Sequence, residues 1–152
     1  MTRHELLAEW RFARGLTLDL LDQCSDVDLQ FALNGGSPLW KQFRHIGRVQ
    51  EDYLSALETG VAHFDARNGS YRGDASRAAL RRYLKAIDRR LDPIFEATPP
   101  EQTIDWFGET VSTDVHLCRL LTHETLHHGQ LMLSWRALGH RFPASWASWG
   151  EA

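Results

Sequence analysis

Residues Val115–Gly139 read VHLCRLLTHETLHHGQLMLSWRALG. At 3.6 residues per turn, Leu117, Leu120, Leu121, Leu131, Met132, Trp135 and Leu138 form one apolar stripe, which predicts a long amphipathic helix. Gly139 stands where a left-handed residue ends such a helix. The stretch carries four of the eight histidines. Two of them, His123 and His127, lie one turn apart on the same side, so both imidazoles can reach one ion. The bland alternative is a pair of partly buried helical histidines satisfied by hydrogen bonds. The i,i+4 spacing beside a glutamate favours metal binding over it.

Three more helices are expected upstream. Thr2 and Glu5 have capping-box spacing ahead of Arg3 to about Gln23, where Leu6, Trp10, Ala13, Leu16 and Leu20 recur at helical intervals. Gly15 interrupts that helix and suits the close approach of a neighbour. Ser25 to Leu29 fits one helical turn. Asn34-Gly35-Gly36 then breaks the chain, and Ser37-Pro38 reads as N-cap and first helical residue of a second helix. That helix runs to Glu58, with Gly60 just beyond. Asp74 is positioned to cap a third, Ala75 to about Thr98, in which Pro93 predicts a kink or a short final turn. Residues 103–111, TIDWFGETV, alternate weakly and suit a small hairpin, and Ser112 or Thr113 caps the histidine-bearing helix that follows. The pattern is all-α: a four-helix bundle with long connections, one of which is expected to cross over so that two successive helices lie parallel.

The 152 residues, 43% hydrophobic and 24% charged, suit a single domain spanning 1–152 with one proper core. Net charge is −3 with the signs interspersed, which gives no electrostatic case for nucleic acid or an anionic membrane surface. The basic residues are almost all arginine. No apolar run has the length of a signal-peptide core or a membrane span. Two cysteines, Cys24 and Cys118, are too few for a disulfide framework or a cysteine zinc site, so a reducing, cytoplasmic setting is expected. The six tryptophans suit an aromatic core, a pocket wall or a homodimer interface.

The remaining histidines and their neighbours complete the candidate list. His45 falls on the shoulder of the second helix's apolar stripe. By position it reads as a boundary residue, but an ion held by His123 and His127 needs a third ligand, and His45 is the histidine nearest the middle of another long helix. His4 stands at a helix start, and His63 and His140 lie in loops. His116 is two turns from His123, too far to share its ion. His128 points about 100° from His127, toward the stripe, as a packing residue or one supporting the ligands. Gln130 projects close to His123 and is a candidate to orient it. Glu124 faces the stripe, where an unpaired carboxylate is costly, so it is either paired structurally or placed beside the site.

Two motifs compete over the same residues. His123-Glu124-Thr125-Leu126-His127 satisfies the H-E-x-x-H pattern of zinc peptidases, in which Glu124 would be the catalytic base. The extended form needs a glycine and a third histidine where this chain has Gln130 and Leu133, and only Glu151 remains downstream as a later glutamate. A carboxylate-bridged di-iron bundle needs two Glu-x-x-His motifs, and Glu124 to His127 supplies one.

The chain resembles the DinB/YfiT-like family of metalloenzymes. The likeness rests on Trp40, His45 and Tyr53 in the second helix. It rests also on the H-x-x-x-H-x-G-Q-L pattern formed by His123, His127, Gly129, Gln130 and Leu131, with Leu138-Gly139 and the P-x-S-W tail Pro143 to Trp146. The resemblance implies a four-helix bundle with its crossover between helices two and three. It implies a divalent ion, nickel or zinc, held by His45, His123 and His127 with open positions, in a cleft lined by Trp40 and Tyr53. Many members carry arginine where this chain has His128. Some relatives are thiol-dependent transferases or isomerases.

The reading is therefore a divalent-metal-dependent enzyme with a three-histidine centre, acting on a small molecule as a small-thiol-dependent transferase or a hydrolase. The alternatives are a non-enzymatic bundle that metal stabilises for binding or assembly, and, behind it, a zincin-like peptidase using Glu124.

Overall fold

The computed structural model describes residues 1–67 and 69–151. Four long helices dominate it: α1 (Arg3–Gln23), α2 (Leu39–Thr59), α3 (Arg77–Ala97) and α4 (Thr113–Leu138). Between α3 and α4 lies an antiparallel hairpin, β1 (Thr103–Trp106) and β2 (Glu109–Ser112).

Local chemistry sets most of the ends. Thr2 and Glu5 form the expected reciprocal capping box on α1, and the Ser112 hydroxyl accepts from the Val115 amide at the start of α4. Gly60 and Gly139 end α2 and α4 in the left-handed conformation, at φ of 78° and 76°. Two starts differ from the sequence reading. Pro38 is the N-cap of α2, one place before the first helical residue. For α3 the cap is Ser76, whose hydroxyl accepts from Ala79, and not Asp74. Asp26, arriving from the end of α1, accepts from the Arg77 amide and so satisfies another free donor of that first turn. α3 continues through Pro93 as one element; the missing proline donor falls in the last turns, where one lost bond is tolerated. The hairpin turns on Phe107 and Gly108, both at positive φ, with the Gly108 amide donating to the Asp105 carboxylate at 2.7 Å.

Side-chain pairs reveal the topology. Arg3 meets Asp114, Arg14 meets Glu124 and Thr17 meets His128, so α1 and α4 run parallel. Gly47 abuts Tyr83 and Gln50 bonds Asp88, so α2 and α3 run parallel too. Arg11 meets Asp92 while Asp22 meets Arg81, and His45 meets His127 while Tyr53 meets His116, so α1/α3 and α2/α4 are antiparallel. The crossover falls between α2 and α3. The segment that follows α2 is tied first to the hairpin, through Asp105 with Gly60 and Ala62. It then returns along α2, where the Ser70 amide donates to Glu51 at 2.9 Å.

The core runs the length of the bundle, with Phe43, Phe95, Trp135 and Trp146 among the fully buried side chains. Trp146 sits in a short 3-10 turn, Ala144–Trp149, and donates to the Leu16 carbonyl at 2.9 Å, closing the tail over α1. Gly15, read as a close-approach site, has no neighbour within 4 Å of where its Cβ would be. The close approach is at Gly47, where a Cβ would come 2.9 Å from the Tyr83 Cζ.

Candidate metal centre

His45 lies in the second turn of α2, and His123 and His127 lie midway along α4. Because those helices run antiparallel and adjacent, the three rings converge, with centroids 4.5 Å (His123–His127), 4.9 Å (His45–His127) and 5.4 Å (His45–His123) apart. One ring nitrogen from each lies within 4.8 Å of the others, a group that can hold a metal ion. His127 Nε2 and His123 Nε2 are 3.1 Å apart. Two nitrogens each about 2.1 Å from one ion and about 90–110° apart are separated by roughly 3.0–3.4 Å, so this pair already has the spacing of two ligands.

The electrostatics suit coordination as well. Burial pushes the His45 pKa down to about 4, assisted by His127 and by the positive charges of Arg48 and Arg44. Burial, His127 and His45 push His123 down to about 3. His127 is lowered by burial, which its bond to Gln130 partly opposes. All three are therefore neutral near pH 7, the state in which imidazole offers a lone pair. The Gln130 carbonyl oxygen lies 2.9 Å from His127 Nδ1. That nitrogen carries the proton and Nε2 keeps its lone pair toward the other rings. His123 Nδ1 is buried without a partner among the described residues. Three imidazoles and no thiolate or carboxylate form a donor set of the kind used for zinc, nickel or copper.

The other sequence candidates are placed differently. Gln130 serves His127 and not His123: it is three residues from the first and seven from the second, about 10 Å along the axis. Glu124 is fully buried, and both its oxygens are taken by Arg14, at 2.8 and 2.9 Å, with Thr17 also on Oε1 at 2.5 Å. Burial alone would raise its pKa, but Arg14 outweighs that and holds it below the ordinary value. A carboxylate so engaged is a structural anion and not a free base, which removes the basis of the peptidase reading. His128 is buried beside it, with Nε2 2.9 Å from the Thr17 hydroxyl and Nδ1 accepting from Trp149 at 3.1 Å. Tyr53 is buried against Phe64, Trp106 and His116. His116 accepts from the Trp106 indole and faces the Tyr53 carbonyl, remote from the triad. Trp40 is half-buried and carries the Arg44 guanidinium 5.0 Å over its ring.

Two features escaped the sequence reading. Arg14 was legible as a charge on an apolar face, one turn after Trp10 and one before Leu18. The second is a cleft of about 350 Å³ with His45 on its wall, bounded by Arg44 and Arg48 of α2, Arg67 and Arg72 of the returning segment, and Tyr83 of α3.

A sequence model of the DinB family matches residues 1–149. The chain belongs to the DinB family. No protein of curated function matches it in sequence. Among solved structures, this DinB-family chain is similar to a DinB-like protein from Bacillus cereus, at a TM-score of 0.77 and 20% identity, over 94% of this chain and 97% of that one. It is similar also to a DinB-like protein from Bacillus subtilis, at a TM-score of 0.72 and 20% identity, over 93% and 96% of the two chains. At that identity the likeness is one of fold, and it agrees with the all-α bundle. None of the described helices is long and apolar enough to cross a membrane.

Proposed function

We propose that this DinB-family protein is a divalent-metal enzyme whose ion is held by His45, His123 and His127. The observation that carries the reading is the convergence of three neutral imidazole nitrogens, from two antiparallel helices, within 4.8 Å of one another. With all three ligands neutral, His45, His123 and His127 would leave a bound divalent ion its full charge, and it would supply Lewis acidity toward a water or thiol. The family resemblance supports nickel or zinc, and a small-thiol-dependent transferase or a hydrolase.

This chain's own residues do the rest. Gln130 fixes the tautomer of His127. Burial keeps all three rings unprotonated. Arg48, 3.4 Å from His45 Nδ1, adds a positive charge that disfavours protonation there. An enzyme is favoured over a metal-pinned scaffold because His45 also lines an open cleft, as a substrate site requires and a structural pin does not.

The test is metal analysis of untagged protein, with His45→Ala and His127→Ala beside the wild type. One divalent ion per chain is expected in the wild type after supplementation with nickel or zinc, and little in either variant. Full occupancy in His45→Ala would show that the triad is wrong.

A further inference from the structure

The cleft beside His45 concentrates positive charge in a protein whose net charge is −3. Two of its four guanidinium groups are neutralised: Arg48 pairs with Asp52 and Arg67 with Asp65, each at 2.8 Å. Arg44 and Arg72 have no carboxylate partner among the described residues. Both are nonetheless held in place. Arg44 stacks on Trp40, and Arg72 donates through one nitrogen to the Gly69 and Tyr71 carbonyls, at 2.5 and 3.0 Å. These contacts position the cations without cancelling their charge, and leave further N–H donors on each.

The wall that carries Arg72 is itself anchored. The Glu51 carboxylate on α2 receives the Ser70 amide and hydroxyl and the Tyr83 hydroxyl, joining the returning segment to α2 and α3. Gly69 lies so close to Arg48 that a Cβ there would come 2.9 Å from its Cγ. The Glu51 carboxylate is thus already occupied by hydrogen-bond donors, as Asp52 and Asp65 are by Arg48 and Arg67.

We infer that this cleft seats the anionic part of a small-molecule substrate, a carboxylate or phosphate group held by Arg44 and Arg72 while the rest of the molecule lies against His45. The assignment deepens the metalloenzyme reading and rests on it for the chemistry that follows binding. Arginine suits the task because its planar fork binds carboxylate and phosphate through two parallel hydrogen bonds. A volume of about 350 Å³ is of the size that takes a small metabolite. The shared wall at His45 places such a molecule beside the histidine centre.

The experiment titrates purified protein at low salt with two probes, inorganic phosphate and succinate, by calorimetry. Four proteins are compared: wild type, Arg44→Gln/Arg72→Gln, a charge-matched control Arg89→Gln/Arg90→Gln on the outer face of α3, and His127→Ala, which lies outside the cleft but removes a metal ligand. The wild type is expected to bind at least one probe, and the tighter of the two identifies the anion class. The cleft variant should weaken that binding at least about tenfold, and the control should stay within about twofold. His127→Ala should retain it. Absence of binding to both probes, or equal weakening in the two double variants, overturns the inference. So does binding lost in His127→Ala but kept in the cleft variant, since the ion would then be the anion's only partner. Uptake of nickel or zinc alone is measured on the same proteins. A wild type that binds anion but takes up neither metal removes the metalloenzyme reading and leaves the cleft standing.

Discussion

Arg14 and Glu124 form a two-pronged ion pair inside the bundle, joining α1 to α4 one residue from His123. The pair continues through Gln50 and Asp88, both bonded to Arg14, so a single buried guanidinium reaches all four helices. Burial works against the Arg14 charge, yet Glu124 and Asp88 outweigh it and raise its pKa.

Removing one member of a buried pair leaves the other uncompensated, at a cost of about 3–5 kcal/mol. Arg14→Ala is expected to lose about that much stability in urea unfolding. Glu124→Gln, which retains shape and some hydrogen bonding, should lose less and should still bind one metal ion per chain. A Glu124→Gln protein with unchanged stability but no turnover would return Glu124 to a catalytic role.

Gln130 offers a probe of the candidate metal centre that spares the fold, because it is exposed and bonds to His127 of the triad. Groups that orient a metal-binding imidazole typically contribute about 10–100-fold to affinity. Gln130→Ala should weaken metal binding by that order in competition with a chromophoric chelator, with the unfolding midpoint of the metal-free protein unchanged. Equal affinity in variant and wild type would show that the bond does not orient the ligand.

Stability should fall in mild acid. His116 is neutral in the fold because burial lowers its pKa and because its Nδ1 accepts the Trp106 N–H, a bond that protonation would destroy. His128 is lowered in the same direction, again mainly by burial. Near pH 6.5 and below, the unfolded chain binds protons at these positions that the folded chain refuses. Stability therefore rises with pH across that window and is lost as pH falls through the folded values. The urea midpoint should drop between about pH 7 and pH 5, and His45, His123 and His127, which burial also keeps unprotonated in the fold, add to the same slope. A midpoint constant over that range would sink the argument.

Two glycines should respond oppositely to alanine. Gly15 has open space at its Cβ position, so Gly15→Ala should stabilise α1 by about 0.5–1 kcal/mol. Gly47 faces Tyr83 and Leu84 across the parallel α2/α3 contact, so Gly47→Ala should cost about 1–3 kcal/mol. Thermal melts of the two single variants test both signs.

Much of this architecture was legible because its signals are local. The Thr2/Glu5 box, the Ser112 cap and the glycines at 60 and 139 act within one turn, and each ends its helix where the sequence places it. The histidine pair on α4 was legible from helical spacing, and His45 from the need for a third ligand together with the family likeness. What was not legible depends on partners distant in the chain. Ser76 and Asp74 are both competent caps, and Asp26, from another element, helps satisfy the turn that Ser76 begins. Glu124 was left undecided because its partner lies 110 residues away. The arginine cleft is drawn from α2 and a segment with no regular structure, so no periodicity announces it.

The parallel run of α2 and α3 requires the intervening chain to travel back along a 21-residue helix, about 30 Å, before α3 can begin. That return path passes the second turn of α2 and so supplies one rim of the cleft at His45. The histidine cluster and the rim of the cleft thereby belong to structurally different parts of the molecule. The triad sits on helices whose spacing the core enforces, whereas the rim is a connecting strap without helix or strand of its own, pinned to α2 by Ser70 on Glu51 and by Gly69 against Arg48. Substitutions in the strap would therefore reshape the cleft beside His45 and leave the spacing of the three histidines to the helices.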